Sequence, residues 1–222
     1  YGALLAAPFI AVFLLLSFWK NSTENYYSEI MKNDLTEGRM AFEKQLDIMC
    51  AGAFSVSNDS DLKWVYFLDG LKDGDNNIAA LIRCNDMLRQ TFADSEHYQN
   101  YSVIMKNELI FRKSGMVVGD KFFYDNYCTY QNTDFETWRK QSFESNTWQL
   151  FPLEEIDTGE RTFQAMTFSY PVRNYIQQEP EANAVVQFLL SKENLEQMFG
   201  QLLSRQGGIL IYDAEDRLLA SL

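Results

Sequence analysis

Residues 101–115, YSVIMKNELIFRKSG, decide the fold. Two short runs rich in β-branched and aromatic residues, Ser102–Met105 and Leu109–Arg112, flank the polar trio Lys106, Asn107 and Glu108, which is the pattern of a hairpin. Downstream, RTFQAMTFSYPVRN (161–174) and ANAVVQFLL (182–190) read as two longer strands around the turn QQEPE, where Pro180 is suited to the bend. Trp148, Leu150 and Phe151 add a shorter strand. Between the hairpin and these strands lie the aromatic-dense GDKFFYDNYCTYQN (119–132) and a helix, DFETWRKQSFE (134–144), opened by Asp134. Ser191 caps a further helix, KENLEQMFGQLLSR, and GGILIYDAEDRLLASL (207–222) forms a last hairpin from Ile209–Tyr212 and Leu218–Leu222. Sequential antiparallel strands with helices inserted between them predict an α+β fold, an antiparallel sheet flanked by helices.

Upstream, Leu62–Leu71 and Ile78–Phe92 read as helices separated by KDGDNN, with Ile78, Leu81, Ile82, Met87 and Leu88 as the apolar stripe of the second. AGAFSVSNDSD (51–61) is small and polar and reads as a loop ending in a cap at Ser60 or Asp61. Asn21 to about Cys50 reads as one proline-free helix whose stripe is Tyr27, Met31, Leu35, Gly38, Phe42, Leu46 and Met49. Before it, YGALLAAPFIAVFLLLSFW (1–19) holds no charge and ten Leu, Ile, Val or Phe residues. At about −0.3 to −0.6 kcal/mol each these favour bilayer insertion by ~3–6 kcal/mol. Trp19 and Lys20 suit an interfacial anchor. Because the run continues into Phe18, Trp19 and Lys20 without a small-x-small cleavage site, a transmembrane helix is expected rather than a signal peptide.

A hydrophobic content of 46% argues for a packed core. A net charge of −12 argues against direct DNA binding by this part, which would need a basic surface, and fits an extracytoplasmic location for residues 21–222. Cys50, Cys84 and Cys128 form no CxxC pair, so neither a disulfide framework nor a zinc site is indicated. A single histidine, His97, supports no metal cluster or His-based triad, and no phosphate-binding or nucleophile-elbow motif occurs. No enzyme and no cofactor are expected.

The organisation resembles a double Cache sensor, a pair of PAS-like modules outside the membrane. More narrowly, LIFRKSGMVVGDKFFYDNY, the NTDFETWRKQSFE helix and AMTFSYPVRN look like the extracytoplasmic part of membrane-bound AraC-type helix-turn-helix transcriptional regulators of Gram-positive anaerobes. The resemblance implies a transmembrane helix (1–19), a long stalk helix (20–50), a membrane-distal Cache module (51–206) and the first hairpin of a truncated membrane-proximal module (207–222). The chain, starting at Tyr1 with the apolar run under way, is then expected to be a fragment. Implied partners are membrane lipid, a small-molecule ligand, a second copy through the stalk helix, and DNA only through a cytoplasmic domain beyond this sequence. A histidine kinase or chemoreceptor output, or a membrane-anchored extracellular hydrolase, are the alternatives.

Small-molecule pockets combine apolar and aromatic walls with a few orienting polar groups, and residues 122–173 supply both. The candidate ligand-binding residues are Tyr124, Trp138, Arg139, Trp148, Thr167, Ser169, Tyr170 and Arg173. Trp138 and Arg139 would face Thr167, Ser169 and Tyr170 across the pocket that Cache modules form between sheet and inserted helices.

Overall fold

Three helices begin where a short polar side chain satisfies an otherwise orphaned amide. Asp134 accepts from the Thr137 N–H at 2.8 Å, Ser191 accepts from Asn194, and Asp59 accepts from Leu62 at 2.9 Å. The cap of the second helix is therefore Asp59, one residue before the expected pair. The computed structural model describes residues 2–65, 74–92, 100–173, 182–205 and 208–222, with side chains from Trp19 onward except at 61, 64 and 74–77. His97, the QQEPE turn and the end of the expected helix 62–71 lie outside the described residues.

Helix α1 runs from Gly2 to Asn58 and is 57 residues long. At the rise of an α-helix that is a length of about 85 Å. It passes straight through the expected loop at 51–58. Met49, Ala53 and Val56 are fully buried at helical spacing, so the small residues there permit close packing and do not mark a loop. The stripe also divides. From Gly38 onward it faces the domain, whereas Tyr27, Met31 and Leu35 remain exposed. Among the described residues no helix is long and apolar enough to cross a membrane. All side chains of the expected crossing 1–19 except Trp19 lie outside that set.

Helix α2 (Ser60–Val65) and α3 (Gly74–Phe92) follow. In α3 the buried stripe is Ala80, Leu81, Cys84, Leu88 and Phe92, while Ile78 and Ile82 point outward. The stripe is rotated from the expected one because the small Ala80 and Cys84 take the positions against the core.

The strands are β1 (Tyr101–Met105), β2 (Leu109–Arg112), β3 (Gly115–Val118), β4 (Thr129–Tyr130), β5 (Gln149–Asp157), β6 (Thr162–Val172) and β7 (Ala184–Ser191). They form one antiparallel sheet in the order β3-β2-β1-β7-β6-β5-β4. Helices α4 (Asp120–Tyr127) and α5 (Phe135–Glu144) are inserted between β3 and β5. The expected C-terminal helix is broken at Phe199 into α6 (Lys192–Met198) and α7 (Gly200–Ser204). The last hairpin, β8 (Leu210–Tyr212) and β9 (Leu218–Ser221), forms a separate two-stranded sheet.

Alternation along the strands assigns each sheet face. Val103, Phe111, Met166, Phe168, Val186 and Phe188 pack with α1, α2 and α3. Ile104, Ile110, Ala165, Val185 and Leu189 pack beneath α4 and α5 with Phe123, Tyr124, Trp138 and Phe143. The stalk is fastened by α6 and α7: Gly38 lies against the Phe199 ring, and Arg205 Nε donates to Asp34 Oδ2 at 2.8 Å.

Candidate functional site

The face beneath α4 and α5 carries polar side chains where a sheet core would ordinarily be apolar. Ser102, Thr167, Ser169 and Gln187 are buried on three central strands, and Ser142 on α5 is buried above them. Antiparallel register makes Gln187 the cross-strand partner of both Ser102 and Ser169. Its Nε2 donates to Ser142 Oγ at 2.9 Å. A buried polar group costs free energy unless it is hydrogen-bonded. Gln187 Oε1 and Trp138 Nε1 are buried and have no hydrogen-bond partner among the described residues. Trp138 and Ser142 are four apart on α5 and so share one face of that helix.

A cleft of about 300 Å³ opens beside Trp138, with Tyr130, Trp138, Gln141, Phe151 and Pro152 among its walls; Gln187, Ser142, Thr167 and Ser169 do not line it. Strand β5 makes its mouth. Pro152 has no N–H for the ladder, and the register with β6 shifts between Phe151 and Glu154, so the strand bends there. Glu154 then fastens the loop before α5, accepting from the Asn132 N–H at 3.0 Å and the Thr133 hydroxyl at 3.1 Å.

Hydroxyl groups deepen the site. Tyr130 and Thr167 share a hydrogen bond of 2.9 Å. Tyr124, stacked on Tyr130 and set against Trp138, donates to the Thr133 carbonyl. Burial pushes both phenols above the ordinary tyrosine value, Tyr130 the further, so each stays protonated at neutral pH. Burial also pushes the neighbouring Cys128 thiol up to about 12. That leaves it an inert hydrophobe with a weak S–H. Among the described residues no group of three or more His, Cys, Asp and Glu side chains could hold a metal ion.

No family model matches the chain, and no curated protein matches it. Several solved structures are similar to it, two of which follow. One is the periplasmic sensory domain of the Campylobacter jejuni chemoreceptor Tlp1, at 11% identity and TM-score 0.48, over 84% of this chain and 69% of that one. The other is the periplasmic domain of Vibrio cholerae LuxQ, at 9% identity and TM-score 0.46, over 85% of this chain and 77% of that one. At these values neither assigns the fold or the function.

The structure puts Tyr124, Trp138, Thr167 and Ser169 on the side of the sheet that α4 and α5 cover, with Trp138 lining the cleft, and places the other expected residues elsewhere. Tyr170 follows Ser169 on β6, so the period of two sends it to the opposite face, where it packs against the larger core. Trp148 stacks on Phe168 on that same face, ring centroids 5.7 Å apart, and is 45% exposed. Arg139 is held by Asp120, Nε to Oδ2 2.5 Å, and ties α5 to α4. Arg173 Nη2 donates to the Ser145 carbonyl at 2.8 Å. That bond satisfies an acceptor at the end of α5, where helix carbonyls lack intrahelical partners. Sequence reasoning missed Tyr130, Ser142 and Gln187. The glutamine amid the apolar run ANAVVQFLL was the readable signal for the last.

Proposed function

We propose that this chain is the ligand-sensing region of a membrane-anchored signalling protein, and that a small uncharged molecule binds between α5 and the sheet. The observation that carries this reading is Trp138 Nε1, a buried donor left without a hydrogen-bond partner on a residue that lines the cleft. A molecule with its own acceptor would satisfy it, and Tyr130, whose hydroxyl is bonded to Thr167, adds a second polar side chain to the cleft wall. The nearby cation, Arg139, is already neutralised by Asp120, which favours an uncharged ligand.

Binding would be read out through α1. The stalk is continuous from the domain toward the apolar run 1–19, for which we propose a membrane crossing with residues 21–222 outside. A ligand moves such a helix only by binding two of its positions with unequal affinity. The proposed output is an AraC-type DNA-binding domain beyond this sequence, supported by the sequence resemblance, with the stalk pairing two copies. The complete reading frame discriminates it from a kinase or chemoreceptor. We propose a binding protein without catalysis of its own.

The test is a thermal-shift screen of small neutral metabolites. At least one should raise the midpoint of the wild type, and Trp138→Phe, which keeps the ring but removes the donor, should abolish that shift. No stabilisation by any compound, or a shift unchanged in Trp138→Phe, overturns the reading.

A further inference from the structure

Elsewhere on the same sheet face a second cleft of about 430 Å³, which shares no lining residue with the first, opens beneath the C-terminal end of α4. Its rim comes from three places: the start of β1 at Asn100–Ser102, the β2–β3 turn at Arg112–Ser114, and the β5–β6 turn at Thr158–Arg161. Its wall is apolar, from Phe123, Tyr127 and Leu189.

The charge here runs against that of the chain. Arg112, Lys113 and Arg161 line the cleft with Glu160 as the one carboxylate, a balance of three against one in a protein of net charge −12. Arg112 is set in place: its side chain is 15% exposed, and its guanidinium lies 4.0 Å from the Tyr127 ring centroid. Its contact with Glu160 is 3.4 Å long, and the glutamate side chain is 75% exposed. Solvent therefore screens that pair, and the planar fork keeps capacity for another anion. Lys113 has no ion pair among the described residues. The facing turn is fixed as well. Gly159 has φ +74°, and a Cβ there would overlap the Asn126 carbonyl. Only glycine suits that position, and the turn sits directly on the end of α4.

A cation pair above an apolar wall matches one chemical class. We infer that this cleft binds a small organic acid, its carboxylate on Arg112 and Lys113 and its hydrocarbon body against Phe123, Tyr127 and Leu189. Bidentate geometry suits an Arg–carboxylate contact, and the volume lies within the range of ligand pockets. This site is separate from the cleft at Trp138 and does not depend on it.

The test titrates the full chain with straight-chain carboxylates from acetate to octanoate, with benzoate and phenylacetate, with the amide of each acid, and with inorganic phosphate. At least one acid should stabilise the protein where its amide does not. The double substitution Lys113→Glu/Arg161→Glu, on two exposed side chains, should weaken that acid at least tenfold without lowering the unliganded midpoint. Trp138→Phe should leave it unchanged. Three results overturn the proposal: no stabilisation by any acid, an equal effect from phosphate, which would make the cleft an anion sink with no use for its apolar wall, or undiminished binding in the double variant.

Discussion

Gly38 of the stalk helix lies so close to the Phe199 ring that a Cβ at position 38 would overlap it. Phe199 is 5% exposed and cannot swing into solvent. Two effects oppose each other when Gly38 is replaced. Helix propensity favours a side chain by about 1 kcal/mol, and forced overpacking costs about 1–3 kcal/mol. Gly38→Val should therefore be destabilising by about 1–3 kcal/mol in chemical denaturation, because valine gains little of that propensity. Its cost should shrink when Phe199→Ala is also present, the non-additivity expected of residues in contact. A stabilised Gly38→Val would show that the ring yields.

Arg205 fastens the same helix through Asp34, which is 8% exposed. Removing the cation leaves a nearly buried carboxylate without its partner, and Arg205→Ala should cost about 1–3 kcal/mol. Arg205→Ala/Asp34→Asn, which removes both charges, should recover part of that loss. Equilibrium unfolding of Arg205→Ala, Asp34→Asn and the double variant checks it, and a double-variant cost equal to the sum of the two single costs would mean that the pair is not coupled.

Cys128 makes a prediction about pH. Its folded value, pushed to about 12 by burial, stands above the ordinary thiol value of 9.0. The folded state thus holds the proton more tightly than the unfolded state. That stabilisation is complete below pH 9 and is lost as pH rises from about 9 toward 12. Tyr130, raised by the same cause, adds loss above its ordinary value of 10.0. Unfolding midpoints should fall across this window, and Cys128→Ala should flatten the part that starts near pH 9. Iodoacetamide at pH 8 should label Cys128 only after unfolding.

Trp138 separates packing from hydrogen bonding. Trp138→Ala removes a buried aromatic and should cost about 3–5 kcal/mol. Trp138→Phe keeps a ring and relieves an unmatched donor, so its cost without ligand should stay below about 1.5 kcal/mol. Denaturation of both variants checks the contrast.

The strands and caps were legible wherever local chemistry and tertiary context agree. The hairpin 102–112, the Asp134 and Ser191 caps and the terminal hairpin all follow from short-range pattern. Reading failed where size mattered more than polarity. Ala51–Asn58 looks like loop sequence because its residues are small, yet Ala53 and Val56 are small in order to pack. Strand β3 was missed because Gly115–Val118 is short, with alternate side chains exposed. For the proposed site, Tyr124, Trp138, Thr167 and Ser169 lie on the side of the sheet that α4 and α5 cover, and Trp138 lines the cleft. Tyr170 and Trp148 diverge because composition carries no information about which strand face a residue occupies.

The seven-stranded sheet ends in strands of four and two residues, β3 and β4. Strand β4 pairs only with Ile156 and Asp157; the first half of β5 has no ladder partner on that side, the terminal hairpin β8–β9 packs close to it, and Pro152 and the register shift interrupt its ladder. An incoming strand would find neither a complete row of donors nor a straight edge to align on. The bend that opens the cleft at Trp138 therefore also protects the protein from edge-to-edge aggregation at high concentration.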